Sequence, residues 1–183
     1  MDLSFEIPNN LTTEFCKEII QRFEDDARKH PGKTVGGFHP EMKNSMDLAI
    51  SNFEEWNDVT DKLDDILAEA VKEYDKFISE KLDFTQFSYS TTLNGNTYQI
   101  QKSGFYKYHH DALVDKVIGK VRVLTFLWYL NTPETGGETD LVYKKIKPEE
   151  GKLLLFPATW EYIHAGLPTQ NKYIITGWLW ENY

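Results

Sequence analysis

The apolar period of this chain changes once, near residue 83, from steps of three and four to steps of two, which dictates helix first and strand second. Thr12 can cap a helix over about residues 13–28 whose face carries Phe15, Ile19 and Phe23, with Cys16 beside that stripe as a buried thiol. Ser51 with Glu54 forms a capping box and opens the longest periodic run. It passes through Trp56, Val59, Leu63, Leu67, Ala70, Tyr74 and Ile78 and predicts one amphipathic helix over about 52–81. Beyond it, short alternating runs near 84–93, 97–101, 105–111, 121–130, 138–145, 152–156 and 172–180 read as strands, with Asn94-Gly95 as a hairpin turn. Between the helices, residues 29–50 hold Pro31, Gly32, Gly36, Gly37 and Pro40 and read as a long loop, a candidate lid. The pattern predicts an α+β, mainly β chain: a β-sandwich or jelly roll braced on one face by N-terminal helices. No internal linker divides it, so residues 1–183 read as one domain, with 1–83 as helical support and 84–183 as a β core.

Composition narrows the function. The net charge is −9, and only Arg22, Arg28 and Arg122 are arginines, which argues against tracking the phosphates of a nucleic acid. No apolar stretch approaches the roughly 20 residues that span a bilayer. The opening Met1-Asp2-Leu3-Ser4 resembles no signal peptide, and the lone Cys16 suits a reducing compartment, so the expected location is cytoplasmic. Nothing in the sequence sets the oligomeric state.

Chemistry concentrates at His109-His110-Asp111 and at a solitary His164, 53 positions after Asp111. Two imidazoles and a carboxylate form a facial triad that holds one face of Fe(II) and leaves the other open. In extended chain, His109 and Asp111 project to one side, while His110 faces away as a non-ligand. Four segments must be explained together with that triad. They are Phe105-Tyr106-Lys107-Tyr108 leading into it, Arg122 through Thr125 to Tyr129-Leu130-Asn131, Gly136-Gly137-Glu138-Thr139, and Gly151 to Pro157 followed by His164, Lys172 and Trp178.

In that order and spacing these segments resemble the prolyl 4-hydroxylase-like branch of the Fe(II)/2-oxoglutarate dioxygenases, over about residues 84–181. The resemblance implies a double-stranded β-helix, or jelly roll, and residues 84–183 as a catalytic core. It implies Fe(II) on His109, Asp111 and His164, with 2-oxoglutarate and O2 as co-substrates and L-ascorbate keeping the iron reduced. The reaction it implies is hydroxylation of a peptidyl proline, 2-oxoglutarate leaving as succinate and CO2. Lys172 is the expected partner of the distal 2-oxoglutarate carboxylate, since a buried dianion needs a cation. Tyr129, Thr125 and Thr176 are expected beside it. Arg122, Trp178, Tyr106 and Tyr98 are the expected substrate contacts, the tyrosine that relatives carry nine or ten residues before the first ligand being either missing here or displaced to Tyr98. Because the chain departs from the family there, a free amino acid or small metabolite is an alternative substrate. A demethylase acting on nucleic acid is disfavoured, because no Arg follows Arg122. A non-catalytic, metal-binding jelly-roll sensor is the remaining alternative.

Overall fold

The computed structural model describes residues 1–82 and 97–182. The strand Phe5–Ile7 (β1) leads into the helix Thr13–Asp25 (α1). Two strands follow, His30–Pro31 (β2) and Lys43–Ala49 (β3), then the helix Asn57–Leu82 (α2). The remainder is strand: Gln99–His109 (β4), Val114–Asp115 (β5), Lys120–Tyr129 (β6), Thr139–Asp140 (β7) and Lys145–Ile146 (β8). Leu153–Pro157 (β9), His164–Gly166 (β10) and Lys172–Asn182 (β11) complete it. All pair antiparallel in one curled sheet, ordered β1-β9-β6-β11-β4-β10-β7-β8, with β3 also on β4. The first half of β4 pairs with β11 and its second half with β10, so this strand carries the chain from one layer of the jelly roll to the other.

Period two sorts side chains cleanly between the two faces. On β6, Leu124, Phe126 and Trp128 join the core under the helices; on β11, Tyr173, Ile175 and Leu179 do the same, as do Leu153 and Leu155 of β9. The helices answer with Phe15, Ile19 and Phe23 of α1 and Val59, Leu63, Leu67, Ala70, Tyr74 and Ile78 of α2. Each such fully buried side chain contributes about 1.5–3 kcal/mol, so this layer is the main source of stability. The alternate residues Leu127, Tyr129, Leu154, Phe156 and Ile174 turn inward to a second, smaller core.

Several boundaries differ from the sequence expectation, each for a visible reason. Thr12 caps α1 as expected, its hydroxyl accepting from the Phe15 amide at 3.2 Å. That helix stops at Asp25, not 28, because Asp26 turns extended and its carboxylate takes Arg28 and the Trp56 indole N–H. Ser51 is no helix cap: its hydroxyl accepts from the Tyr98 amide, and two short 3₁₀ turns precede α2, which starts at Asn57. The supposed loop 29–50 contains β2 and the seven-residue β3, the latter paired along β4. The described part of the expected helical support, residues 1–82, is therefore not helical alone, since β1 and β3 join the same sheet as the later strands. The strand expected at 84–93 and its Asn94-Gly95 turn lie outside the described residues. Cys16 is fully buried, and burial pushes its thiol up to about 11, which leaves it inert.

Candidate active site

Two irregularities in β4 aim its side chains at one point. Against β3 the register skips Gly104, and against β10 Lys107 and Tyr108 of β4 stand opposite the single residue Ala165. Each bulge flips the side-chain parity, so Tyr106 and His109 face inward together although they are three residues apart. His109 pairs across the strand with His164 of β10, and Asp111 follows just beyond the strand end. The ligand-capable atoms of His109, Asp111 and His164 all lie within 4.8 Å of one another.

The protonation pattern suits metal ligation. Nδ1 of His109 faces the Lys107 carbonyl at 2.7 Å, and Nδ1 of His164 faces the Tyr162 carbonyl at 2.9 Å. A carbonyl only accepts, so both Nδ1 atoms carry the proton and both Nε2 lone pairs are left free. Those Nε2 atoms point at Asp111, 3.7 Å from Oδ1 and 3.6 Å from Oδ2. Burial, reinforced by the neighbouring His164, pushes His109 down to about 4, so it is neutral at physiological pH. Burial alone would raise Asp111, but its contacts with His164 and His109 and the hydrogen bond from Thr125 together bring it below the ordinary carboxylate value. Thr125 donates to Asp111 Oδ2 at 2.8 Å and fixes its orientation. Neutral nitrogen donors with one hard oxygen are the donor set for Fe(II) rather than for a thiolate-loving metal. Tyr106 stacks on His109 at 3.6 Å between ring centroids and 18° between planes, which locks the imidazole plane.

A cavity of about 140 Å³ opens beside the triad, walled by β3, β4, β6 and β11. At one end Lys172, only 3% exposed, donates to the Gly137 carbonyl at 2.8 Å. Burial pushes its ammonium down to about 8 against the pull of Glu138. Gly137 adopts φ +80°, and a β-carbon there would meet Thr169 at 2.8 Å and Lys172 at 3.1 Å, so glycine makes room for the lysine stem. Thr139 lines the same end, and its Oγ1 accepts from the Tyr129 hydroxyl at 2.6 Å. Tyr129 itself stands behind Thr139 and does not reach the cavity. Thr176 lines the wall with its hydroxyl donated to the Phe126 carbonyl at 3.2 Å.

The opposite side is built by Arg122, Trp178, Tyr106 and the inward face of β3. The Arg122 guanidinium lies 3.5 Å over the Trp178 ring. On β3, buried Lys43 pairs with fully buried Asp47 at 2.7 Å. Asp47 also accepts from Ser45 and Gln99, and Gln101 leans on Gln99. His110 is exposed at the rim and is not among the three converging groups.

A jelly roll with a His-Asp-His cluster at its mouth and a lysine at the end of the adjoining cavity defines a class of non-haem iron oxygenases. Residues 93–180, just under half of the chain, match the model of the 2OG-Fe(II) oxygenase superfamily; the match supports a dioxygenase, and the chemistry of that superfamily implies Fe(II), 2-oxoglutarate and O2. Solved structures share the fold across nearly the whole chain. The viral collagen prolyl hydroxylase of Paramecium Bursaria Chlorella virus-1, bound to 2-oxoglutarate, superposes with TM-score 0.68 at 20% identity, covering 98% of this chain and 96% of its own. A Pseudomonas putida prolyl-4-hydroxylase gives 0.67 at 17%, covering 96% and 91%. A Trichoplax adhaerens prolyl hydroxylase, in complex with a peptide fragment of the hypoxia inducible factor oxygen degradation domain, gives 0.72 at 21%, covering 96% and 82%. No curated protein matches the chain in sequence.

Two expected site residues lie off the cavity, Tyr98 and, behind Thr139, Tyr129. Tyr98 is not a substrate contact: it has the parity of Ile100, packs 5.4 Å from Phe126 on the helix side, and donates its hydroxyl to Asp64 of α2. Gln99 and Gln101 face the cavity in its place. Lys43 and Thr139 also line the site and escaped the sequence reading. The alternation Lys43, Ser45, Asp47 was available as a signal, but its buried face is polar while Met46 is 37% exposed, the reverse of an ordinary strand. Tyr98→Phe should lower unfolding free energy by about 1–2 kcal/mol in chemical denaturation. Succinate release should stay at the wild-type rate; a reduced rate in a fully folded variant would return Tyr98 to the site.

Proposed function

We propose that the protein hydroxylates proline in a peptide. The observation that carries this reading is the shared fold with three prolyl hydroxylases over 96–98% of the chain, one of them holding a peptide. A groove beside the site supports it too. An apolar groove lined by Met42, Leu167 and Pro168 shares Phe105, Tyr106 and Gly166 with the cavity wall and offers a path for chain on one side of the reacting residue.

In this reading Nε2 of His109, Nε2 of His164 and the Asp111 carboxylate hold Fe(II). Bound there, the iron with O2 and 2-oxoglutarate supplies the oxidising power, the co-substrate leaving as succinate and CO2 while the substrate gains a hydroxyl. Thr125 keeps Asp111 turned toward the two imidazoles, and Tyr106 keeps His109 from swinging. Lys172 and Thr139 take the distal carboxylate of 2-oxoglutarate, Tyr129 orients the Thr139 hydroxyl from behind, and Thr176 shapes the wall between them. Leu127 and Ile174, which line the same cavity, exclude water from that carboxylate and strengthen its attraction to the ammonium. Arg122, Trp178 and Tyr106 face the substrate. Ascorbate serves as the reductant that keeps the iron ferrous.

Equilibrium dialysis with Mn(II) as probe should find one ion per chain in the wild type. Asp111→Ala and His164→Ala should lose it while circular dichroism stays native; retained binding in either would reject that ligand. For Lys172, the ammonium is the form that binds the dianion. Affinity for 2-oxoglutarate, read by calorimetry, should therefore be greatest below pH 8 and fall as pH rises through about 8. Lys172→Met should bind it roughly tenfold or more weakly and without that pH dependence, as expected for a lost charge-assisted contact. An unchanged affinity would remove Lys172 from the co-substrate site. The function itself is tested with proline peptides, Fe(II), 2-oxoglutarate and ascorbate. A mass gain of one oxygen on proline, matched by succinate, is expected; succinate coupled only to oxidation of small molecules would replace the proline reading.

A further inference from the structure

The side chains lining the cavity include four cations, Lys33, Lys43, Arg122 and Lys172, and one carboxylate, Asp111. Lys43 is answered by Asp47. On the reading above, Lys172 is answered by the co-substrate. Arg122 and Lys33 are left over, and Arg122 is the informative one. Among the described residues Arg22 pairs with Asp58 and Arg28 with Asp26, whereas Arg122 has no carboxylate within ion-pair distance. Its Nε is buried without a hydrogen-bond partner, and among the described residues the guanidinium makes one hydrogen bond, a long 3.4 Å contact to the Asp111 carbonyl. The guanidinium is held in place by aromatic faces, 3.5 Å from Trp178 and 5.1 Å from Trp180. Its acidic neighbours are engaged elsewhere. The Asp111 carboxylate takes Thr125, and Asp115 accepts from the Val117 and Ile118 amides. A preorganised guanidinium that lines a cavity and has no anionic partner is built for a planar oxyanion.

We propose that the substrate carries a carboxylate close to its reacting carbon and that Arg122 receives it, with Lys33 at the rim, so that acidic peptides are the substrate class. This rests on the reading above for where the reacting carbon sits, but not on that carbon belonging to proline. Arg122 acts here as a specificity residue.

The test uses four capped pentapeptides, Gly-Asp-Pro-Asp-Gly and Gly-Asn-Pro-Asn-Gly, and the same pair with Ala in place of Pro. Binding is measured to the protein loaded with Mn(II) and 2-oxoglutarate, by calorimetry and by the fluorescence of the tryptophans that flank Arg122. The acidic member of each pair should bind at least about tenfold more tightly than its amide twin, as expected for a charge-assisted contact. Arg122→Met should erase that difference, and Arg122→Lys should keep part of it. Equal affinities, no binding of either peptide at millimolar concentration, or a preference that survives in folded Arg122→Met would each overturn the proposal. Parallel turnover with Fe(II) and O2 separates the two readings. Tight acidic binding in both frames without oxygen gain on proline removes proline and keeps the acidic group. Equal oxygen gain on both proline peptides, with equal affinities, keeps proline and removes the acidic group.

Discussion

The register of β4 is the constraint on which the site depends. This one strand touches β3, β11 and β10, and a slip of one residue would exchange its two faces. Gln99, Gln101 and His109 would then enter the helix-packed core, and Tyr98 and Ile100 would enter the cavity. What pins the register is the apolar face: Tyr98 and Ile100 are sealed against Phe126, Trp128 and the helices with essentially no exposure. The metal triad is thus positioned by hydrophobic packing on the opposite side of its own sheet. The bulges then make the fine adjustment, bringing Tyr106 flat against His109 without disturbing that packing.

Buried charge in this protein falls into two kinds, and the difference separates framework from function. Lys43 and Asp47 satisfy each other, with Ser45 and Gln99 completing the carboxylate, so that network is closed and rigid. Lys172 and Arg122 are open: each is fixed by neutral partners, a carbonyl for one and aromatic rings for the other. Holding cations in a cavity without counter-ions costs stability, and such a cost persists where a ligand repays it on binding. Both line the cavity beside the triad, and in the proposed reading Lys172 serves the co-substrate and Arg122 the substrate.

Much of this was legible in the sequence. The change of period located helix and strand, the Thr12 cap held, and strand parity put Lys172, Ile174, Thr176 and Trp178 on one wall of the cavity. The failures have a common cause. Local rules see neighbours in sequence, whereas Ser51 was claimed by the Tyr98 amide and Asp26 by Arg28 and Trp56. β3 was hidden by the Pro and Gly residues before it and by a polar buried face that makes sense only once the cavity is known. Tyr98 was misplaced because spacing was counted through a strand whose bulges lie between it and the triad, while parity with Ile100 would have assigned it to the core.

The same asymmetry bears on how substrate is selected. The chain carries a net charge of −9, yet the walls of its cavity hold more cationic than anionic side chains. A negative exterior slows the approach of an acidic peptide through water, so attraction at long range cannot be what selects it. Discrimination then has to arise after entry, where Trp178 and Trp180 shield Arg122 and the low local dielectric strengthens each contact. A site of this kind rejects neutral peptides by leaving the guanidinium unpaired and rejects basic ones by repulsion. It therefore places the power to discriminate beside the iron-binding triad, where a poor fit also means poor alignment of the carbon to be oxidised.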